Sequence, residues 1–287
     1  MNNGYFAQYL LNEGKVGQRD IPALLKKTAE HKADAPVTAL RKGMLSAEQI
    51  ASIKSDVSGD EFLREAGKNG LLSAVQMEEL RSAVRDDDLA FAQALLDENM
   101  VTFTELSDLF KAYDALEISP VRTAVKKRAL ESGLEMEADR YGAFSELFVH
   151  SLKRFMDTTV VVNTSEPIQE SAELSHIVSQ RLIGGVSMVT GVYAKDEVFL
   201  EMARRYSHED IHEVDALAVD CICEFLNVVN GLFAVDMARD DMEIDLDMPR
   251  VQENSVPEGN FQLVLVVDTG FGEFSLVLAG DEFVLRT

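Results

Sequence analysis

The chain has 287 residues, enough for two domains, and its 46% hydrophobic and 27% charged content is that of a globular protein. A net charge of −23 repels phosphate backbones and anionic lipid, so nucleic acid and membrane surfaces are excluded as expected partners and a basic partner face is favoured. Two cysteines in the whole chain exclude a disulfide framework.

The N-terminus, MNNGYFAQYLLNEGK, has no basic segment followed by an apolar run, and no stretch reads as a membrane span. The expectation is a soluble, cytoplasmic protein. Residues 1–115 carry a balance of −6 and the remainder −17, so most of the acidity lies in the second part.

The first hundred or so residues repeat themselves. Segments 6–21, 37–50, 62–77 and 91–106 align, with Gly14, Gly43, Gly70 and Asn99 at matching places, 29, 27 and 29 residues apart. Each unit reads as a short amphipathic helix, a Gly or Asn stop suited to a left-handed cap, an apolar pair, and a second helix. In three of the four units a Ser or Thr opens that second helix: Ser46, Ser73 and Thr102. Helical hairpins of this kind bury by stacking the faces that one unit leaves bare. The pattern is similar to the small helical repeats at the front of type II secretion and pilus ATPases. Some of those domains bind a cyclic dinucleotide through an Arg-Leu-Gly triplet; nothing here matches it, and that ligand is not carried over. A protein-docking module, its partner unknown, and a structural spacer both stay open for 1–115. Residues 116–138, with Ser119-Pro120 as a helix start, read as a helical linker.

From residue 139 to 287 the style changes. Residues 143–156 carry a helical apolar stripe, 159–163 read as a strand, and 175–194 as a hairpin around Gly184-Gly185. A helix at 195–207 is followed by a longer one at 213–238. Then come an alternating strand at 242–249, two strands at 261–269 and 273–280 joined by Gly270-Phe271-Gly272, and a last edge within 280–286. The expected class is α+β: a sandwich of long helices on a largely antiparallel sheet, preceded by an all-α helical-hairpin repeat domain.

The helix at 213–238 organises this second domain. Leu217, Ile222, Phe225, Leu226, Val229 and Phe233 are among the apolar residues that cover more than half of its circumference, so it is buried on most sides. Cys221 and Cys223 point about 200° apart and cannot pair with each other there. Glu213, Asp220, Glu224, Asn227 and Gly231 fall within about 60° of one another on the remaining sector. Asn and Gly each cost roughly 0.7–1 kcal/mol against Ala in a helix interior, and Gly231 leaves bare backbone one turn from the Asn227 amide. Either this stripe admits a visitor, or it is a wet edge with Gly231 packed tightly on another element.

The spacing Asp220-x3-Glu224-x2-Asn227-x3-Gly231 on the second long helix resembles the CheX/CheC/FliY family of chemotaxis phosphatases. That family carries Asp/Ser-x3-Glu-x2-Asn and a Pro about two dozen residues later. Here Pro249 lies 22 positions after Asn227, and Gly184 and Gly191 sit where the family has strand glycines. Double-site members repeat Glu-x2-Asn on the first helix; this chain has Glu146-x2-Val149, a silent copy, as in single-site CheX. The resemblance implies one site per chain, acting on a phosphorylated CheY-like receiver domain that brings its own Mg²⁺ and Lys, so that no cofactor belongs to this chain. Asn227 would position the attacking water, a task suited to a neutral amide that both accepts and donates. Glu224 would pair with the receiver's Lys, Asp220 would extend the acidic rim, and Gly231 would allow close approach. The resemblance also allows a homodimer. The alternative is a catalytically silent binding or scaffold module built on the same helix.

Other signals carry less. His208 to His212 spell HExxH, which binds zinc only when one helix places both histidines on one face with a third ligand; here it reads as an inter-helix loop. His31, His150 and His176 suggest no shared site, and Asp86–Asp88 reads as solvated acidic surface.

Overall fold

Local capping chemistry shapes the first part of the computed structural model, which describes residues 4–53, 59–164, 174–257, 262–280 and 284–286. Eight α-helices and one short 3₁₀ helix (Gln18–Asp20) occur among the described residues up to Ile118: α1 (Phe6–Asn12), α2 (Ile21–Glu30), α3 (Ala35–Arg41), α4 (Ala47–Ser52), α5 (Gly59–Lys68), α6 (Ala74–Arg81), α7 (Asp87–Asp97) and α8 (Phe103–Asp114). The residues that stop α1, α3, α5 and α7 adopt one conformation: φ is +64° at Gly14, +66° at Gly43, +70° at Gly70 and +55° at Asn99. Each closes its helix with the same bond pair, as where Met44 N donates to Ala39 O (2.9 Å) and Gly43 N to Leu40 O (3.0 Å). Ser46, Ser73 and Thr102 open α4, α6 and α8 with reciprocal capping boxes to Gln49, Gln76 and Glu105.

The hairpins do not stack in single file. Helix α7 packs against α1, α2 and α3, whereas a linear repeat array joins neighbouring units alone. The fourth unit thus closes on the first, around a helix whose residues from Asp88 to Leu95 are almost all buried. Asp86–Asp88 is correspondingly not a solvated run. Asp86 accepts from Leu89 N (3.1 Å) and starts α7. Asp88 is buried and accepts from Gly4 N (2.7 Å) and Phe6 N (3.0 Å), which ties it to the start of α1.

The chain divides into two compact units, 1–118 and 119–287. The second contains α9 (Pro120–Glu131), α10 (Ala138–Met156), α11 (Asp196–Ser207) and α12 (Ala216–Ala238). Helix α9, expected within a linker, is packed into this unit against α10. A Cβ on Gly142 of α10 would stand 3.1 Å from the Arg122 backbone oxygen, so the missing side chain is what lets the two helices approach. Gly133, at φ +74°, stops α9 as the earlier glycines stop their helices.

The strands are β1 (Val160–Asn163), β2 (Ser175–Gly184), β3 (Met188–Lys195), β4 (Ile244–Leu246), β5 (Arg250–Glu253), β6 (Val256–Pro257), β7 (Gln262–Thr269), β8 (Gly272–Ala279) and β9 (Leu285–Arg286). Seven form one antiparallel sheet in the order β1-β7-β8-β3-β2-β4, with β5 also on β2, while β6 and β9 form a short ribbon. Residue 261 and residues 281–283, at the starts of two expected strands, lie outside the described residues. Helices α10, α11 and α12 cover one face, where Phe148 meets Phe225 and Phe274 at ring separations of 5.7 and 6.2 Å. The other face carries an apolar cluster of Ile177, Tyr193, Val277 and Val256, with Leu285 packed on it. Burial on both faces explains why β7 and β8 carry nearly continuous apolar runs, Leu263–Val267 and Leu276–Ala279.

Gly184 fixes one edge. Its φ is +112°, and a Cβ there would lie 2.6 Å from the Glu243 oxygen, whose acceptor is used by Gly185 N at 2.8 Å. That close approach brings β4, and the turn after it, alongside β2.

Candidate functional site

Helix α12 begins where the Asp215 side chain accepts from Ala218 N (3.0 Å). Its Ile222, Phe225, Leu226, Val229 and Phe233 are essentially fully buried against the sheet and neighbouring helices. Among the described residues it is the one helix long and apolar enough to cross a membrane, with a mean hydropathy of 1.6 in its most apolar window. This corrects the expectation that no stretch has that length. Here the helix lies across β2, β3 and β4.

The polar sector opens outward. Asp220 and Glu224 are exposed and Asn227 and Gly231 half-buried. A Cβ built on Gly231 meets nothing within 4 Å, so the glycine is not packing against another described element and the backbone there is open. Glu224 precedes Asn227 by three residues, which places their Cβ atoms about 5–6 Å apart on one face. Tyr206 of α11 stands at the rim; burial first, and then the Glu224 carboxylate, hold its phenol above the ordinary value. Leu217, Leu232 and Val235 of α12 are exposed, as is Met248 after β4.

The Asn227 amide is anchored from below. Gln180 of β2 donates through Nε2 to Asn227 Oδ1 (2.8 Å) and to the backbone oxygen of Asp247 (2.8 Å). Gln180 Oε1 accepts from Asn230 Nδ2 (2.7 Å), and Asn230 shares further bonds with the Thr190 hydroxyl at 2.9 and 3.0 Å. Gln180, Asn230 and Thr190 are at most 2% exposed, so this is a satisfied polar network inside an apolar core. The sequence reading missed all three. Asn230 was the available signal: it falls on the apolar arc of the wheel, and a buried amide there requires partners.

Val149 is fully buried and Glu146 only half so, which leaves α10 without a carboxamide at the matching place. Cys221 and Cys223 are both free thiols. His208 caps α11 in the left-handed conformation, and 208–212 form no helix, so the two histidines never share a helical face. Among the described residues no group of three or more His, Cys, Asp or Glu could hold a metal ion. His176 is buried, with Nε2 2.7 Å from Asp196 Oδ1; His31 and His150 are exposed.

No family model and no curated protein matches the chain. Solved structures do. A CheC-like superfamily protein from Shewanella sp. PV-4 aligns with a TM-score of 0.39 at 12% identity, over 50% of this chain and 95% of that one. The chemotaxis protein CheX from Vibrio vulnificus gives 0.40 at 13%, over 47% and 92%. CheX of Borrelia burgdorferi, solved as a CheX–CheY–BeF3–Mg²⁺ complex, gives 0.40 at 14%, over 48% and 96%. Over about half of its length, then, the chain is similar to solved chemotaxis proteins of the CheX and CheC type.

Proposed function

We propose that the second unit is a protein phosphatase that accelerates hydrolysis of the aspartyl phosphate on a CheY-like receiver domain. The observation that carries this reading is the pairing on α12 of an exposed carboxylate, Glu224, with a part-exposed amide, Asn227, whose oxygen is held from beneath, beside the open backbone of Gly231. The receiver supplies the phosphoryl group, its Mg²⁺ and a Lys, so the helper is left with positioning and charge complementarity. Glu224 pairs with that Lys and sets the register. Asn227 holds a water in line with phosphorus; a carboxylate at that place would repel the phosphoryl oxygens. Asp220 contributes to the acidic rim, and Gly231 lets the partner's backbone come close. The protein is proposed to be cytoplasmic and to have no cofactor of its own, and the first unit to dock a further protein.

A second reading is a module that binds the receiver without turnover. The exposed apolar side chains Leu217, Leu232 and Val235 on the same helix, and Met248 after β4, favour docking whether or not chemistry follows. Decay of a ³²P-labelled receiver, with Mg²⁺ and with or without the full chain, separates the two. Faster release of phosphate supports the phosphatase; tight binding with unchanged decay supports the module.

A further inference from the structure

We infer that Gln180 is a positioning residue, which with the Asp247 carbonyl dictates which way round the Asn227 carboxamide faces. The inference rests on the proposed phosphatase reading for its kinetic consequence, but not for its geometry. A backbone carbonyl only accepts, so the group that Gln180 turns toward Asp247 O has to be its amide nitrogen (2.8 Å). The second hydrogen of that nitrogen then points at residue 227 and needs an acceptor, which is Asn227 Oδ1 (2.8 Å). Both Nε2 hydrogens of Gln180 are thereby used.

On the far side, Gln180 Oε1 requires a donor and receives Asn230 Nδ2 (2.7 Å), while Asn230 Oδ1 receives the Thr190 hydroxyl (3.0 Å). Reversing any one amide in this series sets donor against donor or acceptor against acceptor in a site nearly closed to water, where each unmet group is costly. One main-chain carbonyl therefore orients three side-chain amides in succession.

The outcome at the surface is specific. Asn227 Oδ1 faces inward with one lone pair occupied, and Nδ2, which makes no hydrogen bond among the described residues, faces away from the network. What the helix offers a visiting phosphoprotein is two N–H donors and one remaining oxygen lone pair. A water can donate to that lone pair while the N–H groups meet a phosphoryl oxygen. A free Asn side chain would spend part of its time reversed. Asp247 leads directly into exposed Met248, so the loop that a docking partner touches also carries the carbonyl that sets the amide.

Side-chain amide NMR on the full chain, together with receiver dephosphorylation, tests this. In the wild type the Gln180 and Asn230 NH₂ protons should exchange slowly with water and those of Asn227 quickly. Gln180→Met, similar in length but without donors, should lower kcat about 100-fold with KM little changed, and should loosen the Asn227 amide on the NMR timescale. Thr190→Val, which disturbs only the far end, should fold and show a smaller loss of the same kind. Wild-type kcat and an unaltered Asn227 signal in Gln180→Met would overturn the inference, as would slow exchange of the Asn227 NH₂ in the wild type. If the wild type dephosphorylates no receiver, the phosphatase reading fails while the exchange pattern still decides the role of Gln180.

Discussion

At the scale of single residues, binding and chemistry fall to different side chains of the proposed site. Glu224 is exposed and contributes charge; Glu224→Gln removes one charge-assisted bond, worth about 1.5–3 kcal/mol, and should weaken receiver binding roughly tenfold or more. Calorimetric titration at low and at physiological salt checks this, because the wild-type advantage should shrink as salt rises. A second residue makes a stability claim. Asp268 of β7 is buried beside Glu273, its Oδ2 without a hydrogen bond, and burial above all raises its pKa to about 7. A carboxyl whose folded pKa is raised stabilises the fold in its neutral form, and that contribution fades as pH rises from about 4 through 7. The melting temperature should fall over that window by an amount corresponding to on the order of 4 kcal/mol at most, and Asp268→Asn should flatten the curve. The polar stripe from Asp220 to Gly231 was legible in the sequence because helical periodicity is local. The partners of Asn227 were not, because Gln180 lies 47 residues away on a strand whose neighbours only the folded sheet defines.

At the scale of elements, stops and starts were the most readable features. Left-handed caps at Gly14, Gly43, Gly70 and Asn99 and capping boxes at Ser46, Ser73 and Thr102 depend on residues within one turn of each other. Long-range pairing was less readable: β5 and the β6–β9 ribbon are short and carry weak alternation. The buried Asp88 looked like a surface charge because its partners, Gly4 N and Phe6 N, are more than 80 residues distant. Gly184 joins element geometry to the site. With φ at +112° and an added Cβ only 2.6 Å from the Glu243 oxygen, Gly184→Ala should cost about 2 kcal/mol or more, seen as a lower denaturation midpoint. Because it displaces β4, which leads to Asp247, it should also lower kcat.

At the scale of the whole molecule, two units with separate cores share one chain, and most of the acidity belongs to the unit that carries the proposed site. The sequence reading set a separate linker at 116–138, whereas the contacts divide the chain between 118 and 119 and assign α9 to the second unit. The closure of the first unit around α7 was not legible either, since aligned repeats specify similar hairpins and not the order in which they meet. An acidic surface of this size repels a phosphoryl group and attracts a basic face, so the proposed function assigns binding to the partner's cations and chemistry to one neutral amide. The decisive measurement is the single-turnover rate of receiver dephosphorylation, at saturating concentrations of wild type and of Asn227→Ala. Acceleration by the wild type is expected, with a loss of about 100-fold or more in the variant and receiver binding within about threefold of wild type. Equal rates for the two proteins, or a variant whose loss disappears at saturation, would contradict the proposed function.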